Sequence, residues 1–208
     1  MTNIQQPILK ATAENAIGEA AEVLRRGGLV VVPTDTVYGL AADPRVPGAR
    51  DRIRKAKHRD AEKPLAYLAA SLDAVSAFGA NMNERERRLA DAFWPGALTL
   101  VLRMQADCPE SSSEEEGFRV PDNVFTRTLL ETLGSPLLVT SANTSGTPPA
   151  RTVDAAAEQL GNHVDLYIDD GTSDGGEASS VVRASGSSLE CLREGALSLE
   201  TLKTAAKS

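Results

Sequence analysis

Short apolar runs, each only as long as a strand, alternate along this chain with segments of helical periodicity, and that alternation limits the fold more than any other feature. Ala13 to Arg26 places Ile17, Ala20, Ala21 and Leu24 on one helical face, and Gly27-Gly28 ends the helix before a strand at Leu29 to Val32. A helix expected from Pro47 toward Ala56 puts Lys57 at its C-terminal end. Leu65 to Ala69 and Leu98 to Leu102 read as strands, Ser71 as the cap of a short helix, and Asn83 with Glu86 as a capping box opening a helix to Phe93. Val124 to Leu133 reads as a helix closed by Gly134 and Pro136 to Thr140 as a strand. Val153 to Leu160 reads as a helix, Leu166 to Ile168 and Ser179 to Val182 as strands, and Ser198 as the cap of a last helix.

Alternation of this kind implies an α/β sheet covered by helices. The stretch Val181 to Leu192 is too short for a parallel crossover, so a mixed sheet is expected. At 208 residues the chain can bury one substantial core, and one domain is expected. From Gln105 to Gly117 it turns Ser- and Glu-rich without periodicity and reads as an exposed, mobile acidic loop.

Lys and Arg number 22 against 29 Asp and Glu, a net charge of −7 that argues against broad, nonspecific nucleic-acid binding but allows a local basic cleft. Cys108 and Cys191 carry no metal-like spacing, and the start of the chain lacks a signal peptide's apolar core, which fits a reducing cytoplasm. No apolar run approaches the roughly 20 residues that span a bilayer, so no membrane insertion is expected.

Two polar loops, each attached to a regular element, carry the candidate chemistry. Lys57, Arg59 and Lys63 offer positive charge, and Ser141-Ala142-Asn143-Thr144-Ser145-Gly146 offers hydroxyls, an amide and backbone donors; together they suit a phosphate-bearing ligand. A solvated helix end explains the three cations equally well. Pro33 to Leu40 follows a very apolar strand and brings two hydroxyls, a carboxylate and a phenol to its end; there the alternatives are a ligand site or a turn whose Thr34 and Asp35 serve backbone donors. No Gly-Lys-Ser/Thr ending or dinucleotide fingerprint is present, no Gly-x-Ser-x-Gly elbow suggests a hydrolase, and His58 and His163 lack zinc-ligand spacing.

In this order the blocks Pro33-Thr34-Asp35-Thr36-Val37-Tyr38-Gly39-Leu40, Lys57-x-Arg59 with Lys63-Pro64-Leu65, Trp94-Pro95-Gly96-Ala97-Leu98-Thr99, Arg119-Val120-Pro121-Asp122, Ser141 to Gly146, Ser179-Ser180-Val181-Val182 and Leu192 to Ala196 resemble the YrdC-like family of threonylcarbamoyl-adenylate synthases. The similarity runs from about Ala13 to Ala196. It implies one α/β domain over 1–208, with a core of about 13–196 and a twisted, mostly parallel mixed sheet around an open cavity.

The resemblance also implies a cytoplasmic nucleotidyltransferase that makes threonylcarbamoyl-AMP and pyrophosphate from L-threonine, bicarbonate and ATP, for a partner that modifies tRNA. Carried over by position, Lys57, Arg59, Ser141 and Asn143 line the nucleotide and reaction site, with Arg193 also on ATP. Thr34, Arg119 and Ser179 match threonine-binding positions. Magnesium is expected on the ATP phosphates, with no dedicated protein ligands. Departures from the family pattern are His58 between the two cations, Asp60 where proline is frequent, and Ser180 with Arg183. Asp60 is expected to pair with Lys57 or Lys63. The competing reading is a member of the same fold that binds RNA or a nucleotide, tRNA or double-stranded RNA included, without adenylation. A related carbamoylation on another acceptor belongs to larger relatives with acylphosphatase-like and zinc-finger domains.

Overall fold

Successive residues of a strand point to opposite faces of its sheet, so a continuous apolar run needs cover on both sides. Among the strands that meet that requirement are β2 (Val30–Val32), β8 (Leu137–Ser141) and β9 (Leu166–Asp169). Val30, Val32, Leu137, Val139, Leu166 and Ile168 pack on one face with α1 (Ala16–Arg25) and α5 (Val124–Leu133). Val31, Leu138 and Tyr167 pack on the other, in a larger core. To that core α2 (Ala49–Lys57) contributes Ile53, α4 (Glu84–Phe93) Leu89, α6 (Val153–Leu160) Ala156, and α7 (Leu199–Ala205) Leu202. The structure, a computed structural model, describes residues 6–60, 63–185 and 188–206; the expected domain's ends, 1–5 and 207–208, lie outside them.

The other strands are β1 (Ile8–Lys10), β3 (Gly39–Ala42), β4 (Ala66–Leu68), β5 (Ala80–Asn81), β6 (Leu98–Met104), β7 (Glu115–Arg119), β10 (Ser180–Ser185) and β11 (Ser188–Arg193), and α3 (Leu72–Ala77) completes the helices. All form one 11-stranded sheet in the order β1-β9-β2-β3-β8-β4-β7-β6-β10-β11, with β5 alongside β6. The sheet is mixed, as expected, but its parallel pairings are not the majority: four ladders are parallel and six antiparallel. Two antiparallel contacts of β8, to β3 and β4, and the β10–β11 hairpin shift the balance.

Where sequence signals were strong the elements agree. Val124–Leu133 and Val153–Leu160 are helical over those spans, Asn83 and Glu86 form the reciprocal capping box, and Ser71 and Ser198 each cap a helix. The expected acidic loop is shorter than its sequence suggests, because Glu115, Glu116 and Gly117 belong to β7. Glu116 is buried and bonded to Arg50, which turns a residue of apparent loop chemistry into a strand position.

The β4-β7-β6-β10 half of the sheet differs from the β9-β2-β3-β8 half in one decisive respect. Tyr67, Leu98, Leu100, Phe118 and Val182 fill the larger core on one face. Their alternates Ala66, Thr99, Val101, Gly117, Arg119, Val181 and Arg183 line open space on the other. The bare half of that face is the floor of a cavity.

Candidate active site

The cavity has a volume of about 810 Å³, ample for a nucleotide with a small co-substrate. Beyond the strand residues, it is lined by Arg50, Arg54 and Arg59 on and just after α2, by Thr34 and Thr36 from the turn after β2, and by Ser112 to Glu116. Ser141, Ser179 and Arg193 complete the wall. Segments far apart in the chain therefore meet on one surface, and six of the eight site residues expected from sequence are there: Thr34, Arg59, Arg119, Ser141, Ser179 and Arg193.

Lys57 and Asn143 are placed differently. Lys57 is 1% exposed and lies behind the wall, where its ammonium donates to the carbonyl oxygens of Ser141 and Asn143 and, at 3.2 Å, to Asn143 Oδ1. Ser145 N returns a bond to the Lys57 carbonyl at 3.0 Å. Asn143 Nδ2 donates to the carbonyls of Thr144 and Thr147, so that amide is spent inside its own loop. Lys57, carried over as a residue that lines the reaction site, is instead covered by the Ser141 loop. Burial, and secondarily the charge of Arg59, pull the Lys57 ammonium down to about 7, while the three surrounding oxygens act to keep it charged.

The turn after β2 is both structure and site. Thr34 Oγ1 donates to the Val37 carbonyl and accepts from the amides of Thr36 and Val37, the turn-stabilising role open to it in the sequence, while the same residue faces the cavity. Arg119 binds this turn through Thr36 Oγ1 at 2.7 Å and Asp35 Oδ1 at 2.6 Å, and reaches the Gly96 carbonyl through Nε. Burial lowers its pKa, against the pull of Asp35. Three of its five N–H groups are used in these contacts, which leaves two for a ligand carboxylate.

On the opposite side Ser179 Oγ lies 2.8 Å from Thr99 Oγ1, and the Arg193 guanidinium holds the Ser179 carbonyl from Nε at 3.0 Å and Nη2 at 2.7 Å. Ser180, a departure from the family pattern, is structural here, since its hydroxyl donates to the Leu197 carbonyl and accepts from the amides of Gly195 and Leu197. A Cβ at Gly195 would lie 2.1 Å from the Ala178 carbonyl oxygen, so this approach requires glycine. Asp60 pairs with Lys63 at 3.5 Å on the exposed surface, one of its two expected partners. His58 and His163 meet edge to face with ring centroids 6.1 Å apart, and no group of three or more metal-ligating side chains occurs among the described residues.

Sequence reasoning passed over Arg50 and Arg54, and it gave Thr36, Thr99 and Arg183 no ligand role of their own. Signals for them existed. Arg50 and Arg54 stand four apart on one helix face, and Thr99 and Arg183 are polar positions flanked by apolar residues of their strands.

The Sua5_yciO_yrdC family model, described as "Telomere recombination", matches residues 22–195. A threonylcarbamoyl-AMP synthase of Enterobacter sp. strain 638 is 31% identical over 158 residues, covering 74% of this chain and 83% of that protein. Among solved structures, Pyrococcus abyssi Sua5 complexed with L-threonine superimposes with a TM-score of 0.88 at 32% identity, over 96% of this chain and 60% of that longer one. Escherichia coli YciO matches with a TM-score of 0.82 over 97% of this chain and 100% of its own, at 24% identity, a likeness of fold.

Proposed function

This chain belongs to the Sua5–YciO–YrdC family, and from that premise we propose that it is an L-threonylcarbamoyladenylate synthase, joining L-threonine, bicarbonate and ATP with release of pyrophosphate. One observation carries the reading: the cavity presents arginines without acidic partners beside a hydroxyl-lined pocket with a held arginine. Among the described residues no carboxylate pairs with Arg59 or Arg193, whereas Arg119 is fixed by Asp35. Polyphosphate suits the first group. An amino acid with a hydroxyl side chain suits the second, its carboxylate on Arg119 and its polar groups among Thr34, Thr99 and Ser179.

In this reading the threonine amine forms an N–C bond to the bicarbonate carbon as a C–O bond breaks and water leaves, and the resulting carbamate presents an oxygen to the α-phosphate. The O–P bond forms as the bond to pyrophosphate breaks, and negative charge grows on the phosphoryl and leaving oxygens. Fixed guanidinium groups at Arg59 and Arg193 favour that charge most in the transition state, because they need no reorientation as it develops. Lys57 and Asn143 act from behind, setting the path of the Ser141 loop. Two of the wall carboxylates are already engaged, Glu116 by Arg50 and Glu115 by Arg183. Magnesium bound to ATP would be held mainly by phosphate oxygens and water and would supply neutralisation of phosphate charge.

No described helix is long and apolar enough to cross a membrane. Work in the cytoplasm, and delivery of the product to a tRNA-modifying partner, belong to the same proposal. Purified protein given ATP, magnesium and bicarbonate should release pyrophosphate, and form threonylcarbamoyl-AMP, only when L-threonine is added. Nucleotide or RNA binding with no threonine-dependent pyrophosphate would overturn the synthase in favour of a binding protein.

A further inference from the structure

Six arginines line the cavity, and their partners divide them. Arg50 Nη2 donates to Glu116 and to the Tyr67 hydroxyl, at 2.8 and 2.7 Å. Arg119 is bound to Asp35 and Arg183 to Glu115 and Glu190, so three of the six charges are neutralised within the protein. Among the described residues Arg59 and Arg193 bond to neutral oxygens, the Pro64 carbonyl for one and Ser179 for the other. Arg54 resembles these two. Its ion pair among the described residues is a 3.6 Å contact with Asp51, a carboxylate 85% exposed to water, and such a contact neutralises little.

The Nε atoms of Arg54 and Arg59 are both buried without a hydrogen-bond partner among the described residues. A donor left in that state costs stability unless a ligand accepts from it. Arg59 is held below its ordinary pKa first by burial and then by the charges of Arg193 and Arg54, so the three cations act on one another. Lys57, the cation that the motif would assign to phosphate, is occupied by three oxygens of the Ser141 loop.

We infer that Arg54 takes the place vacated by Lys57 and, with Arg59 and Arg193, binds the polyphosphate tail of the nucleotide. The inference rests on the synthase reading for the identity of the nucleotide, but it needs only a polyphosphate ligand. Arg59 follows the end of α2 that meets the Ser141 loop, and Arg54 lies further back along the same helix. A phosphate chain beginning beside Ser141 therefore runs over Arg54 with its terminal groups, those that leave as pyrophosphate. An α-phosphate alone does not reach it.

Calorimetric titration of wild-type protein and Arg54→Gln with inorganic pyrophosphate, ATP and AMP tests this. Arg54→Gln should weaken pyrophosphate and ATP by about tenfold or more, the loss of a charge-assisted contact, while AMP stays within about twofold and the melting temperature is unchanged. A second variant, Arg54→Lys, should recover part of the pyrophosphate affinity. Equal pyrophosphate affinity in wild type and Arg54→Gln, or equal weakening of AMP and ATP, overturns the inference, as does a wild-type protein that binds no pyrophosphate. The two readings fail separately. Protein that turns over threonine normally without Arg54 keeps the synthase and loses the inference; protein that needs Arg54 for pyrophosphate but forms no adenylate does the reverse.

Discussion

The two sets of arginines in the cavity wall share a residue type and a surface, yet they spend their charge in opposite ways. Arg50, Arg119 and Arg183 hold strands, turn and the Ser-rich segment together through carboxylates of the chain. Arg54, Arg59 and Arg193 bear charge that the described part of the protein leaves largely unneutralised. Removal of a paired arginine should thus damage the fold, and at Arg119 threonine binding as well, whereas removal of an unpaired one should damage ligand binding alone.

The sharpest way to break that division is Arg119→Ala. It strands Asp35 and Thr36 beneath the cavity and should cost about 3 kcal/mol or more of stability by denaturant unfolding, in line with loss of one partner of a largely buried pair. Arg59→Ala should change stability by no more than about 1 kcal/mol while threonine-dependent pyrophosphate release falls about 10²–10³-fold. Similar stability losses in the two variants would erase the distinction.

Glu116→Gln sharpens the comparison from the carboxylate side. It keeps the shape but removes the charge that Arg50 and the Ser112 amide engage, and should cost about 1–3 kcal/mol in the same unfolding assay. The freed Arg50 would then join the unpaired set, so pyrophosphate affinity should rise even as stability falls.

A separate test, read as a slope against pH, concerns Lys57. Its folded-state pKa of about 7 lies below the value of about 10.4 for an unfolded lysine, so between these the unfolded chain binds the extra proton. Its contribution to stability must therefore increase as pH rises through that window, and be lost as pH falls toward 7. Melting temperatures of Lys57→Met should climb less steeply than wild type from pH 7 to 10. A steeper climb in the variant would show that the carbonyl oxygens outweigh burial and hold Lys57 charged.

Periodicity and capping made most helices legible, because those signals are local: Gly134 adopts the left-handed conformation that closes α5, and Asn83 accepts from Glu86 N. Strands β3 and β7 were obscured for different reasons. Gly39–Ala42 has small side chains with little polarity contrast, and Glu115–Arg119 is polar because one of its faces looks into the cavity. The site was legible as a set of residues but not as a surface. Arg50, Arg54 and Lys57 follow i, i+4, i+7 spacing, which by itself puts all three on one face. Lys57 is withdrawn from that face by a loop 84 residues away, a contact no local pattern contains.

The cavity draws its residues from Thr34 near the start of the sheet to Arg193 at the end of β11, its edge strand. Edge strands usually fray before the centre of a sheet opens, at little cost in free energy. A ligand seated against both ends of this chain binds only molecules in which β11 is docked, so fraying becomes competitive with binding. At a ligand concentration about a hundredfold above Kd, that competition adds about 2.7 kcal/mol to every opening that breaks the site. Occupancy would then lift the protection of the peripheral β10–β11 hairpin toward that of the core, making amide exchange at this edge a measure of how full the cavity is.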